Sequence, residues 1–348
     1  MKNHIKSLCI IELPDRWPVV RNNVLFLGFE ELGIKMNVIR SFSFYTRTVL
    51  GGHTKYLKFW LKLVPGIFFE NLFLTIMLAL NIHKIIKSDA LYIASYGNYV
   101  IVPVKIFALI FNKKMILEAH GSLYFQRIIG CGDYPKNSIY AKFVFFVDKL
   151  GARISDYFIT LSDSYGDKLS EVFGVERRKF IGAYTGTINH KEKLNYKYSE
   201  KKTIDLLHLS SFKEFHGSLE LVYVTNYIVK VLKKKDIKVY LAGRGKLMQK
   251  CIDLVEELGL EKNVFFPGFI SRKRLSRMVA NAQIMVGPMG DSALNEIDFP
   301  TKVSDYLSFG KVTLLPDKSG MREVVTDGVS GFLCDFGSVE TTAKKIVF

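Results

Sequence analysis

Cysteine is scarce in this chain of 348 residues, and Cys9, Cys131, Cys251 and Cys334 lie far apart with no CxxC and no neighbouring histidine. That spacing excludes a zinc module and argues against a disulfide framework, which implies a reducing cytosol. Acidic residues fall short of basic ones, 33 against 49, leaving a formal charge of +16. Such a surplus points to an anionic partner: nucleic acid, a membrane face or a phosphorylated small molecule. The basic residues are dispersed, and no helix-turn-helix, RNA-recognition or zinc pattern occurs, which weighs against nucleic acid. Long apolar runs are missing too. Leu8–Ile11 is too short for a signal-peptide core, and Glu12 follows it. The most apolar stretch, Leu63–Ile82, is interrupted by Pro65, Gly66, Glu70 and Asn71. It reads as a buried or membrane-facing helix that falls short of a clean span of about 20 residues.

What the chain does have is alternation. The composition is globular, 49% apolar and 24% charged, and at roughly 150 residues per domain the length suggests two. Strand-like runs at Ser7–Leu13, Lys35–Ser41, Ala90–Ser95, Lys114–Ala119, Tyr157–Ser162 and Lys179–Tyr184 are separated by helix-length segments. The stretch from Asn189 to Thr203 is polar and lysine-rich, and reads as a linker. The alternation then restarts with Ile204–Ser210, Ile237–Ala242, Asn263–Pro267, Gln283–Pro288, Lys311–Pro316 and Gly331–Cys334 as strands. Parallel βαβ units follow from this pattern. The expected architecture is α/β, two doubly wound Rossmann-like domains, 1–190 and 191–348, facing a central cleft. Residues 1–190 hold 24 basic and 14 acidic side chains, so most of the surplus lies there.

Ligands of open α/β sheets bind at the C-terminal ends of strands, which selects a small set of residues. The sharpest cluster runs from Asp298 to Gly310. Pro300 fits the first helical position and Gly310 the C-terminal cap, bounding a helix whose free N–H groups make an anion site. Lys302 and Asp305 share one of its faces; the same spacing fits a capped surface helix with an ordinary Lys–Asp pair. Gly243, Arg244 and Gly245 follow the Ile237–Ala242 strand, where glycine lets a ligand approach the backbone or serves a tight strand–helix turn. Lys213 and His216 follow the Ile204–Ser210 strand and could meet phosphate; a plain polar loop is the competing reading. His120 ends the Lys114–Ala119 strand, placed for hydrogen bonding or acid–base work or for a structural role. Arg16, Tyr96, Asn98 and Ser162 are the other polar residues at strand ends of the first half.

Taken in order, these segments resemble a known family. His-Gly follows a strand, and FITLS precedes a helix. LAGRGKL and NVFFPGF come later, then FPTKVSDYLSFGK and finally EVVTDGVSGF. The set resembles the retaining glycosyltransferases of family 4, which have the GT-B fold, most strongly from residue 236 to 334. The resemblance implies transfer of a sugar from a nucleoside diphosphate sugar to an acceptor hydroxyl with retained configuration. The donor would lie in the C-terminal domain and the acceptor in the N-terminal one. By position, Asp305 matches the acid that holds the ribose, and Lys302 lies near the diphosphate. Asp298 with Phe299, Pro300 and Thr301 falls where the family holds the donor sugar. Gly243–Gly245 and Phe266–Gly268 flank the base, and His120 matches the histidine beside the reacting sugar. Arg16, Tyr96 and Asn98 fall on the acceptor side.

The sequence departs from the family in several places. Ile297 stands where the first of two glutamates is usual, with Glu296 and Asp298 flanking it. The usual Arg and Lys diphosphate clamp appears as Ser-Ser and His-Gly, with Lys213 the nearest substitute. Pro14–Pro18 lacks paired glycines, and relatives continue some tens of residues beyond Phe348, so the resemblance implies a truncated chain.

No DxD motif follows a strand, so leaving-group stabilisation by Lys302 and helix amides, with no metal or other cofactor, is expected. The basic surplus and the Leu63–Ile82 segment add the expectation of a lipid-linked saccharide acceptor. They place the protein in the cytoplasm, peripheral at the inner face of the membrane. A nucleotide-sugar epimerase of the same architecture, a non-catalytic nucleotide-sugar binder and a basic binding protein are the alternatives.

Overall fold

Runs of buried β-branched and aliphatic residues, each bounded by a helix, have one economical arrangement: parallel strands with helices on both faces. The computed structural model shows this twice, and it describes residues 5–13, 20–41, 57–94, 97–118, 121–187, 203–288, 290 and 295–347. The chain forms two units, Met1–Gly186 and Thr187–Phe348.

In the first unit the strands are β1 (Ser7–Glu12), β2 (Lys35–Arg40), β3 (Ala90–Ala94), β4 (Lys114–Glu118), β5 (Tyr157–Thr160) and β6 (Phe180–Gly182). They pair in parallel in the order β2-β1-β3-β4-β5-β6. The helices between them include α1 (Val20–Glu31), α2 (Leu57–Leu80), α3 (Ile101–Ile110), α4 (Ile139–Ile154) and α5 (Asp163–Phe173). Strand β3 is buried along its whole length, as a central strand covered on both faces should be. Ser162, noted above only as a polar strand end, is the N-cap of α5. Its Oγ accepts from the Tyr165 N–H at 3.0 Å, and the helix closes at Gly174 in the left-handed region.

Helix α2 occupies the apolar stretch and turns two of its polar interruptions, Glu70 and Asn71, toward the protein. Gly66, Glu70, Leu74 and Leu78, four residues apart, face inward. The Asn71 amide donates to the carbonyls of Ile67 and Tyr99. Phe68, Phe69, Leu72 and Phe73 face outward. Among the described residues no helix is long and apolar enough to cross a membrane.

In the second unit the strands are β7 (Ile204–Ser210), β8 (Ile237–Gly243), β9 (Val264–Gly268), β10 (Ile284–Val286), β11 (Val312–Pro316) and β12 (Phe332–Cys334). Their order is β12-β11-β10-β7-β8-β9, again parallel. The helices are α6 (Ser218–Asn226), α7 (Met248–Glu257), α8 (Arg272–Asn281), α9 (Thr301–Ser308), α10 (Ser319–Arg322) and α11 (Val339–Val347). Successive residues of β7 and β8 feed opposite layers. Leu206, Val239 and Leu241 enter one core cluster; Leu207, Tyr240 and Ala242 enter the other. Chain progression reverses between β7 and β10, so the loops after these two strands diverge and leave a crevice at their C-terminal ends.

Every expected strand is present, with ends within two residues of those read from the sequence. The helix expected from Pro300 starts one residue later. Pro300 is extended, with φ −66° and ψ 140°, and takes the cap position. Gly310 does end that helix in the left-handed region, at φ +63°.

Candidate functional site

The crevice at the β7–β10 reversal is built on a chain of directed hydrogen bonds. A carbonyl only accepts, so His208 Nδ1 must donate to Val286 O at 2.9 Å, and Nε2 is left as the acceptor facing Ser218 Oγ at 3.3 Å. Ser218 Oγ lies 2.8 Å from Ser210 Oγ, and Ser210 Oγ in turn accepts from Phe212 N at 2.9 Å. The proton order therefore runs Phe212 to Ser210 to Ser218 to His208 to Val286, tying β7, its loop, the start of α6 and β10. Burial, then the nearby Lys302 charge, holds the His208 imidazole well below its ordinary range, so it stays neutral.

The rim of the crevice comes from the two diverging loops. Asn295 Nδ2 donates to Phe215 O at 3.0 Å and to Gly290 O at 2.6 Å, and Gly290 N also reaches Phe215 O. His216 sits in the β7 loop. Its Nδ1 accepts from the Ser211 N–H at 3.2 Å, which leaves the proton on Nε2. Burial, with the charges of Lys302 and Lys213 adding to it, pushes this imidazole down to about 3.

Lys302 is the central group. It lies in the first turn of α9, where no side chain caps the helix. Its Nζ is buried and has no hydrogen-bond partner among the described residues. Burial pushes the ammonium down to about 8, opposed by the Asp298 charge. Asp298 shows the converse. Burial pushes its carboxyl up to about 6, against the Phe299 N–H at 2.9 Å and the Lys302 charge. A desolvated ammonium at a helix start that no side chain caps is an anion site by both charge and geometry.

Glu296 and Asp298, the two acids flanking Ile297, part company. Glu296 is exposed and held by Lys318 Nζ at 3.1 Å and Ser319 Oγ at 2.9 Å. Partial burial pushes its carboxyl up, but these hydrogen bonds hold it below the ordinary range. Asp298 is the one next to Lys302. Gly320 of α10 lets the chain pass here, since a methyl there would stand 2.6 Å from Asp298 O.

Other residues of the expected site are placed as follows. Asp305 Oδ1 accepts from Thr187 Oγ1 at 2.6 Å, a partner that sequence reading missed. Nothing marks Thr187, which lies 118 positions away. Lys302 and Asp305 do not form the ordinary surface pair that their spacing allowed, because the Lys302 ammonium points inward and is buried. Phe299 is buried, and Pro300 and Thr301 are half-buried. Lys213 is exposed with Nζ 5.6 Å from the Phe215 ring centre, and Arg244 is exposed.

Of the two readings of Gly243 and Gly245, ligand approach and a tight turn, close packing of the chain on itself supports the second. Methyl groups on them would overlap the carbonyl oxygens of Ser210 and Ser211, so they admit the β7 loop's own backbone. Phe266 packs on the core, 6.4 Å from the Phe212 ring centre, and Gly268 is left-handed at φ +69°. His120, Arg16, Tyr96, the Asn98 side chain and nearly all of the expected linker lie outside the described residues. Just after His120, Gly121 is at φ +116°, and Ser122 is fixed by Tyr165 Oη at 2.8 Å and Asp148 Oδ2 at 2.5 Å. Among the described residues no cluster of three acids, histidines or cysteines could hold a metal.

Tyr306 anchors α9 beneath this site. It is fully buried, and its hydroxyl accepts from Leu209 N at 2.8 Å. Tyr306→Phe is expected to strand that N–H and lower unfolding free energy by about 1–3 kcal/mol, measured by urea denaturation.

Residues 197–347 match the family model Glycosyl transferases group 1. An uncharacterized glycosyltransferase of Methanocaldococcus jannaschii is 22% identical over 218 residues, 60% of this chain and 54% of that protein. N-acetyl-alpha-D-glucosaminyl L-malate synthase of Bacillus anthracis is 24% identical over 156 residues, 44% of this chain and 38% of that one. The matched segments thus span about half or less of these relatives' length. Among solved structures, sucrose-phosphate synthase from Thermosynechococcus elongatus superposes with a TM-score of 0.67 at 14% identity, covering 98% of this chain and 88% of that one. HepE of Anabaena in complex with UDP gives 0.62 at 14%, covering 98% and 88%. The fold is therefore the two-unit α/β arrangement of GT-B glycosyltransferase structures.

Proposed function

We propose that this chain is a retaining glycosyltransferase that moves a sugar from a nucleoside diphosphate sugar to a saccharide acceptor carried on a lipid, at the inner face of a membrane. The observation that carries the donor half is Lys302, a buried ammonium without a hydrogen-bond partner among the described residues, at an uncapped helix start on the strand-order reversal. The match to glycosyl transferases group 1 spans the same residues, and HepE, of the same fold, is solved with UDP.

In this reading the bond from the sugar's anomeric carbon to the diphosphate oxygen breaks, and its electron pair goes to that oxygen. The Lys302 ammonium and the first N–H groups of α9 meet the growing charge, with Lys213 beside them, and no metal is called on. The acceptor oxygen forms the new bond on the same face, and its proton passes to the departing phosphate oxygen. Asp298 would hold a donor-sugar hydroxyl. Asp305 would take a ribose hydroxyl in place of Thr187, and His120 would sit beside the reacting sugar. Arg16, Tyr96 and Asn98 would face the acceptor.

Calorimetric titration with uridine, guanosine and adenosine diphosphate sugars tests this. One base series should bind at pH 7. Its affinity should hold up to about pH 8 and then fall by up to about tenfold per unit, because in the free protein the ammonium loses its proton there, while in the complex the diphosphate charge keeps the ammonium protonated. Absence of binding by all three series would overturn the donor site.

A further inference from the structure

We infer that the outward face formed by α2 and α3 in the first unit is a docking surface for an anionic lipid bilayer. This rests on the preceding proposal only in taking the membrane as the partner, and gives that partner a place on the chain.

Ordinary amphipathic helices bury their apolar stripe and expose their charges. Helix α2 departs from this and is apolar on its outward face as well. Its inward positions include Glu70, while the outward ones from 65 to 80 are Pro65, two pairs at Phe68–Phe69 and Leu72–Phe73, and then Thr75, Ile76, Ala79 and Leu80. Phe68 and Phe69 are each 62% exposed and Leu80 is 70% exposed. Thr75 is the one hydroxyl on this face, and it is already spent on Asn71 O at 2.7 Å. Helix α3, packed beside α2, continues the pattern with Val102, Ile106, Leu109 and Ile110 exposed.

A face this large and this apolar implies an occupant, and its chemistry selects one. Protein–protein interfaces carry about one hydrogen bond per 100–200 Å² and a polar rim. Among the described residues, the outward positions of α2 from 65 to 80 and of α3 offer no free hydrogen-bonding side chain. Hydrocarbon asks for none.

The charges lie where a headgroup layer would need them. Both helices lead into strands, so their C-terminal ends share the N-terminal edge of the sheet. His83 and Lys87 are exposed there, and Lys113 Nζ reaches across from the end of α3 to Ile86 O at 3.2 Å. The acids at this edge are engaged. Asp89 is held by the N–H groups of Lys6 and Ser7, and Asp156 by Lys105 and Lys114. An apolar face with a basic border is the arrangement that settles into an anionic interface without crossing it.

Vesicle flotation of the full chain tests the inference. It should float with vesicles containing phosphatidylglycerol and less with pure phosphatidylcholine. Phe69→Ser with Phe73→Ser should lower the bound fraction about tenfold or more without lowering the melting temperature. Lys87→Glu with Lys113→Glu should cut the preference for anionic vesicles by about fivefold or more per charge. A chain that floats with neither vesicle overturns the inference. So does a dimer in light scattering that Phe69→Ser with Phe73→Ser splits, which would assign the face to a second copy. Donor titration of the same proteins keeps the two proposals apart. Vesicle binding without donor binding would sink the donor half of the transferase reading alone, and donor binding without vesicle binding would sink this inference and leave the donor site standing.

Discussion

Lys302→Met is expected to lower kcat/KM for the nucleoside diphosphate sugar by about 100- to 1000-fold, the range found when one preorganised charge-stabilising group is removed. The same substitution should leave the melting temperature unchanged or raise it. An ammonium pushed from 10.5 down to about 8 by burial, with its attraction to Asp298 already counted, carries a net penalty on the order of 3 kcal/mol at neutral pH. The sign with pH follows from that depression. The penalty is full below pH 8, where both folded and unfolded chains hold the proton. It fades as pH rises from 8 towards 10.5, where the folded chain has released the proton and the unfolded chain has not. The stability advantage of the methionine variant should therefore shrink over that window in thermal melts. A residue that harms stability and supports turnover belongs to a functional site, and a purely structural lysine would lose both together. Activity within tenfold of the parent would remove Lys302 from the leaving-group role.

The fold was legible because each strand is short, apolar and bounded, so that β7 and β3 declare themselves as buried central strands. Strand order is not written in such runs. The reversal between β7 and β10 places Lys302 and His216 on one crevice, and it follows from which strands pair. Helix α5 was expected after FITLS by resemblance alone, because its segment, DSYGDKLSEVF, is polar overall and carries Gly166; its local signal is Ser162 as a cap. In α2, the polar residues Glu70 and Asn71 were visible as interruptions of an apolar run, but their inward direction depends on helical phase against a particular neighbour.

At the site, Lys302 and Asp298 were legible from helix-boundary signals, and Asp298 is favoured over Glu296 because it adjoins the helix start. The partners of Glu296 were not legible. Only the placement of Lys318 and Ser319, brought in by β11, draws Glu296 outward. Thr187 against Asp305 was invisible for the same reason: the contact joins segments with no shared pattern.

Gly245→Ala separates two meanings of one motif. Read as a sequence, Gly243-Arg244-Gly245 after a strand suggests either backbone left bare for a ligand or a tight strand–helix turn; in the first case an added methyl should weaken donor binding and leave the fold alone. The structure puts the Ser211 carbonyl where that methyl would go, and the Ser210 carbonyl where one on Gly243 would go. Both obstacles are main chain at the end of β7, pinned by the Ser210–Ser218–His208 hydrogen bonds, and main chain cannot rotate aside as a side-chain tip can. Gly245→Ala should therefore lower the second unit's unfolding free energy by about 4 kcal/mol or more, a fall of roughly 10 °C in melting temperature. Gly268→Ala is the internal comparison. It meets nothing within 4 Å and carries only the strain of φ +69°, so about 1–2 kcal/mol is expected. Arg244→Ala, exposed between the two glycines, should leave the melting temperature within about 1 °C. If Gly245→Ala melted with Arg244→Ala and lost only donor affinity, the glycines would be a ligand's and not the loop's.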